Sequence, residues 1–268
     1  MLKLMYITNK PWVAKIAEEA GVDWIFIDME YLDKAARQGG LDTVQNHHTI
    51  DDVKAIHNCL TKSKVLVRCN HIYDGSEEEI NAIINNGADI VMLPFFKTVR
   101  EVKKFIRYVD GRAKTCLLVE TPEAGMLIDE ILEVPGIDMI HLGLNDMHLA
   151  LGMKFMFELL ADGTVDQLSK KIKAKGIPFG FGGLATLDGG AVPGSMILKE
   201  HYRLGSSMVI VSRSFCNTDI VTEESEVKQI FMDGIKKIRQ LEEEAFYAAH
   251  YFTDNHAAVI CAVDKIIN

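Results

Sequence analysis

The chain has 268 residues, 48% of them hydrophobic and 25% charged, with a formal net charge of −9. That size suits one large α/β barrel or two smaller domains, and the composition is that of a soluble globular protein with ample core. The acidic balance argues against a nucleic-acid surface, which needs clustered Lys and Arg, and no run is long enough for a membrane span.

Taken in order, short apolar runs alternate with amphipathic stretches. The opening Met1-Leu2-Lys3-Leu4-Met5-Tyr6-Ile7-Thr8 is short and has no small-residue cleavage site, so it reads as a first strand, not a signal peptide. Further strands are expected at Trp24 to Met29, Val65 to Cys69, Ile90 to Phe95, Cys116 to Val119, Met139 to Leu144, Ile177 to Phe181 and Met208 to Val211. Several are apolar on successive residues, as strands buried on both faces must be.

Helix signals fill the gaps. Thr49 with Asp52 precedes an Ile50, Val53, Ile56, Leu60 stripe, and Ser76 with Glu79 forms a capping-box pattern ahead of Ile80, Ile83 and Ile84. Val99, Val102, Phe105, Ile106 and Val109 mark one helical face; Val165, Leu168 and Ile172 mark another, stopped by Gly176 and Pro178. Strand and helix alternating at this spacing predict a (β/α)8 TIM barrel over residues 1–222. A doubly wound sheet competes, but no G-x-G-x-x-G follows the first strand. Residues 223–268 form an extra C-terminal helical segment. Its Phe231, Ile235, Ile238, Phe246 and Tyr251 pack either on the chain's own barrel or on a partner subunit.

A polar insert at residues 31–49 follows the second strand, where a long loop reads as a functional lid. The five cysteines are scattered without a C-x-x-C pair, which indicates neither a disulfide framework nor a zinc site and fits a reducing cytoplasm.

On a barrel the C-terminal strand ends face the active site. Those ends carry Asp28, Glu30, Arg68, Asn70, Glu120 and Asp146, with Gly180-Phe181-Gly182-Gly183 at the seventh and Ser212-Arg213-Ser214 at the eighth. Glu120 and Asp146 each close a buried apolar run, where an unpaired carboxylate is costly. Two hard oxygen ligands there suit Mg2+ or Mn2+, although ion pairs neutralising the rim would explain them too. Arg68 offers a fork for a substrate carboxylate. His47 and His48 are acid/base candidates, or a helix-start feature before Thr49. Arg213 with Gly182 and Gly183 could approach a phosphate; a plain tight turn is the other reading.

These residues resemble the HpcH/HpaI aldolase family, metal-dependent pyruvate aldolases related to the citrate lyase β subunit. The likeness lies in Ala20-Gly21-Val22-Asp23-Trp24-Ile25-Phe26-Ile27-Asp28-Met29-Glu30, in Val67-Arg68-Cys69-Asn70, and in Asn86-Gly87-Ala88-Asp89-Ile90-Val91-Met92-Leu93-Pro94. Most specific is the stretch from Val119-Glu120-Thr121-Pro122-Glu123-Ala124 through Val134-Pro135-Gly136-Ile137-Asp138 to Gly143-Leu144-Asn145-Asp146. The resemblance implies that Glu120 and Asp146 hold a divalent metal and that Arg68 binds a pyruvate-like enolate. It also implies that Asn145 and Asp146 help bind the carboxylate. The implied reaction is aldol cleavage of a 2-keto-4-hydroxy acid to a 2-keto acid and an aldehyde, in a hexamer that exchanges C-terminal helices. Where the family has its catalytic histidine, this chain has Tyr31, and the partner position is Asn85 or Asn86. That departure makes His47 or His48 the replacement base. It also keeps open a catalytically silent barrel that binds a 2-keto acid or phosphorylated ligand, or serves as an assembly partner.

Overall fold

The computed structural model describes residues 1–32, 48–247 and 251–268. Eight parallel strands close into a barrel in sequential order, β8 pairing with β1. They are β1 (Lys3–Ile7), β2 (Trp24–Asp28), β3 (Lys64–Arg68), β4 (Ile90–Leu93), β5 (Lys114–Val119), β6 (Met139–Leu142), β7 (Phe179–Leu184) and β8 (Met208–Val211).

Around them lie α1 (Pro11–Ala20), α2 (Ile50–Cys59), α3 (Ser76–Asn85), α4 (Val99–Val109), α5 (Pro122–Met126) and α6 (Ile128–Ile131). Next come α7 (Leu144–Ala150), α8 (Glu158–Ala161), α9 (Thr164–Ala174) and α10 (Gly194–Leu204), and the chain ends in α11 (Glu224–Tyr247) and α12 (Tyr251–Ile267). The result is a (β/α)8 barrel with a C-terminal helical pair.

Alternation along each strand divides the core. Met5, Phe26, Leu66, Met92, Cys116 and Leu118 fill the barrel lumen, while Leu4, Ile25, Val65, Val91 and Leu117 pack outward against the helices. Three of the four even strands share a device at the N-terminal end. Gly21-Val22-Asp23, Gly87-Ala88-Asp89 and Gly136-Ile137-Asp138 precede β2, β4 and β6. Each aspartate accepts the backbone N–H of the preceding strand's second residue: Leu4 at 3.0 Å, Val65 at 2.9 Å and Thr115 at 2.8 Å. These brackets fix strand entry and register far from any chemistry.

Helix starts follow capping physics with one surprise. Thr49 and Asp52 form the expected reciprocal box on α2, and Thr98 with Glu101 makes another on α4. Ser76, expected to cap α3, is its first helical residue instead; Gly75 is the cap, and the Ser76 hydroxyl accepts the Tyr73 N–H at 2.8 Å. Glu79 turns away to Asn70, accepting its side-chain amide at 2.8 Å. The seventh strand also departs from expectation. It runs through Gly182 and Gly183, with a register shift against β8, so those glycines belong to a bulged strand and not to a turn beyond it.

In the C-terminal pair, Phe231, Ile235 and Ile238 of α11 are buried, Phe231 meeting Tyr6 edge-on at 4.8 Å. Phe246, expected among the buried contacts, is 72% exposed. Buried Glu242 accepts the Leu2 N–H and the Tyr202 hydroxyl, and buried Glu200 on α10 takes Asn255 and His256 of α12. Among the described residues no helix is long and apolar enough to cross a membrane.

Candidate active site at the C-terminal barrel mouth

Asp28 and Arg68 end neighbouring strands and face each other in register. The Asp28 carboxylate accepts from Nε and Nη2 of Arg68, both at 2.8 Å, and Glu30 stands 3.5 Å from Nε. Burial opposes the Arg68 charge, but Asp28 first and Glu30 second outweigh it, so the guanidinium pKa is raised further. Phe26 lies beneath, 5.6 Å from the guanidinium carbon to the ring centre. The fork expected to clamp a substrate is therefore largely committed within the protein. Nη1 alone has no partner among the described residues.

Glu120 follows β5. Its carboxylate accepts the Phe95 N–H at 3.0 Å, from a residue held at φ 47°, a left-handed conformation that costs a non-glycine residue energy. Gly143 makes room beside it: a Cβ there would stand 2.6 Å from the Glu120 Cβ and 2.9 Å from Oε2. Asp146 sits in the first turn of α7. Burial pushes the Glu120 pKa well above the usual carboxylate range, and Glu30 and Asp146 push it further, against a smaller opposing effect of Arg68.

Glu120, Asp146, Asn145, Arg68 and Arg213 all line one cavity of about 480 Å3, walled by Phe26, Met92, Leu118, Leu144 and Met156. A second chamber of about 260 Å3 shares Arg68, Ile210, Ser212 and Arg213 with it and extends towards Thr8, Asn9 and Lys10. A larger space of about 1000 Å3 opens at the opposite, N-terminal end. Its lysines, Lys3, Lys64 and Lys114, are paired with Asp23, Asp89 and Asp138, and it holds no strand-end acid or base. The candidate site is therefore the C-terminal mouth.

The donor set fits a divalent cation. Glu30 and Asp146 crowd the Glu120 carboxylate beside one largely buried, already paired arginine, and carboxylate oxygens are hard ligands. Among the described residues no three His, Cys, Asp or Glu side chains form a complete cage. Two carboxylates with the remaining positions open to water and substrate is the pattern of an open catalytic site.

The sequence model of the HpcH/HpaI aldolase/citrate lyase family matches residues 3–171. The chain belongs to that family. Among solved structures, an HpcH/HpaI aldolase from Desulfitobacterium hafniense DCB-2 superposes with a TM-score of 0.63 at 15% identity, covering 85% of this chain and 93% of that one. A family protein from Burkholderia cenocepacia J2315 gives 0.61 at 15% identity, with coverage of 85% and 95%. The citrate synthase SbnG gives 0.60 at 17%, with 84% and 92%. At these identities the likeness establishes the shared barrel. No curated protein matches the chain.

In this aldolase/lyase barrel the histidine candidates separate. His47 lies outside the described residues. His48 borders the smaller chamber beside Asp28 and Arg68, and its Nδ1 accepts the Asp28 backbone N–H at 3.0 Å. An amide can only donate, so Nδ1 must be unprotonated and the ring proton sits on Nε2. Tyr31, at the family's histidine position, is 57% exposed, borders neither chamber, and has its backbone N–H held by Asn70. Asn85 and Asn86 are no partner for a base here: they end α3, before the N-terminal end of β4, and the Asn86 amide is spent on the Ala82 carbonyl.

Three residues take roles here that the sequence reading did not assign to them. Glu30 acts on Glu120 more strongly than Asp146 does. Asn70 holds the start of the insert by accepting N–H groups from Tyr31 and Leu32 at 3.0 and 2.9 Å. His141 lines the floor of the larger cavity, its Nε2 bonded to the Gly182 carbonyl at 3.1 Å, in space that Gly180 leaves open.

Proposed function

We propose that the chain is a divalent-metal-dependent carbon–carbon lyase or aldolase that acts on a 2-keto acid through its enolate. The observation carrying this reading is the buried Glu120 carboxylate, which lines one cavity with Asp146 at the mouth of a barrel of this family. Glu120 and Asp146 would hold Mg2+ or Mn2+. When bound, such a cation draws electron density from keto and carboxylate oxygens and so acidifies the adjacent carbon.

The chain's own residues supply the rest. Arg68, locked in place by Asp28, offers Nη1 to an anionic oxygen without having to be ordered first. The backbone at Asn145 and Asp146 opens α7 beside the cavity and helps receive the carboxylate. His48, whose Nδ1 is filled by the Asp28 N–H, presents its ring at the smaller chamber as a hydrogen-bond donor. It does not act as a base in this arrangement, because its basic nitrogen is occupied. The apolar wall of Phe26, Met92, Leu118 and Leu144 excludes water from the carbanionic carbon.

Cation binding tests the foundation. Titrating Mn2+ and following the free ion by electron paramagnetic resonance should show a site that Glu120→Gln weakens at least tenfold. Equal binding by wild type and variant would remove Glu120 from the site.

A further inference from the structure

The cavity of about 1000 Å3 at the N-terminal end of the barrel takes no part in the proposed chemistry. Its floor is apolar and firmly packed. Trp24, Ile90, Met139 and Met208 line it, and all four are buried members of the lumen cluster. Trp24, 9% exposed, presents only part of its indole. An indole and two thioethers on one floor favour an aromatic ring, because aromatic pairs and sulfur–aromatic contacts are both attractive.

The rim carries an excess of positive charge. Lys3, Lys64, Arg112 and Lys114 line the cavity against Asp89 and Asp138, so four cations face two anions. Asp23, just outside the lining, pairs with Lys3 and removes one further charge, although it is shared with Arg239 at 3.1 Å. Each lysine thus has its aspartate, and the surplus charge is that of Arg112. The Arg112 Nε donates to the Val109 carbonyl at 3.2 Å, and Nη2 donates to the Tyr108 carbonyl and to Asn81 Oδ1, both at 2.6 Å. These acceptors are neutral, so they hold the guanidinium at the rim without cancelling its charge. Among the described residues Arg112 pairs with no carboxylate, and its Nη1 has no acceptor.

We infer that this cavity binds a small aromatic carboxylate, with the ring against Trp24 and the two methionines and the carboxylate at Arg112. The site lies at the opposite end of the barrel from the mouth and does not depend on the lyase reading. A floor already packed needs little ordering when the ligand arrives. Because the lysines are engaged, Arg112 is the group that tells a carboxylate from an uncharged ligand of the same shape.

Trp12 and Trp24 are the two tryptophans of the chain, so Trp12→Phe makes Trp24 fluorescence a reporter of this cavity. 4-Iodobenzoate quenches an indole on contact through its heavy atom, and 4-iodobenzyl alcohol carries the same ring without the charge. The carboxylate should quench saturably, with a midpoint about fivefold or more below that of the alcohol, the worth of one solvated charge pair. Arg112→Gln should bring the two midpoints within about twofold, and Arg112→Lys should restore part of the gap. Arg213→Gln, at the opposite end, should leave the gap unchanged. Saturation-transfer NMR of 4-iodobenzoate repeats the comparison on the protein with Trp12 in place, with signals expected in wild type and weakened in Arg112→Gln. Quenching that does not saturate, equal midpoints before Arg112 is changed, or a gap that survives Arg112→Gln overturns the inference. So does a gap lost in Arg213→Gln, which would put the carboxylate at the mouth.

Discussion

Asp28 and Arg68 stand directly opposite across the β2–β3 register and join through two hydrogen bonds of 2.8 Å, the aspartate fully buried. That geometry makes Arg68 a fixed charge, ready before any substrate arrives. It also makes the pair costly to break, because removing one partner leaves the other buried and uncompensated.

Asp28→Ala should therefore destabilise the protein by about 3 kcal/mol, while an exposed ion pair such as Lys171–Asp129 should give less than about 1 kcal/mol when cut. Chemical denaturation of the two variants compares them. Equal small losses would show that Arg68 is held by something other than Asp28.

His48 gives a test of role. Glutamine can reproduce the contact with the Asp28 N–H through its oxygen and the proposed onward donation through its amide, whereas phenylalanine can do neither. His48→Gln should keep aldol kcat within about tenfold and His48→Phe should lose about a hundredfold, as for a lost oxyanion donor. If His48→Gln is as impaired as His48→Phe, the ring acts as a base after all.

Two buried histidines should make stability fall on mild acidification, against the raised Glu120 carboxyl, which acts in the opposite direction. Burial drives the His141 pKa down to about 4, Arg68 adding to the effect against the Gly182 carbonyl, and burial holds His201 well below its usual range. Unfolded histidine titrates near 6.5, so below that pH the unfolded chain binds protons that the folded chain refuses. Stability is lost as pH drops from about 6.5 towards about 4. For His141 alone the loss between about pH 6.5 and pH 5 is about 2 kcal/mol. Denaturation at those two pH values should show His141→Gln reducing the drop by that amount; an identical drop would mean that His141 is not kept neutral by the fold.

Much of the barrel is visible in the chain because parallel strands covered on both faces are apolar throughout, as at Ile25 to Ile27 and Leu117 to Val119. β7 is harder to place. Gly182 and Gly183 look like a turn, yet both lie in the strand, and position 180 is glycine because a side chain there would collide with Met208 and His141. Ser76 misleads similarly, since the pattern Ser-x-x-Glu does not reveal that Asn70 competes for Glu79. Within the site, Glu120 and Asp146 show as charges ending apolar runs. The commitment of Arg68 to Asp28 does not, because the two lie forty positions apart and meet only through the pairing of β2 with β3. The tautomer of His48 depends on its contact with the end of β2.

Exchange of pyruvate methyl protons into deuterated water, with and without Mg2+ or Mn2+, addresses the proposed chemistry most directly, since it needs the enolate and no second substrate. Mass spectrometry should show exchange in the wild type that requires the cation, stops with a chelator, and falls about a hundredfold in Glu120→Gln and Asp146→Asn. Absence of exchange with every divalent cation, or exchange undiminished in both variants, would contradict an enolate held beside Glu120 and Asp146.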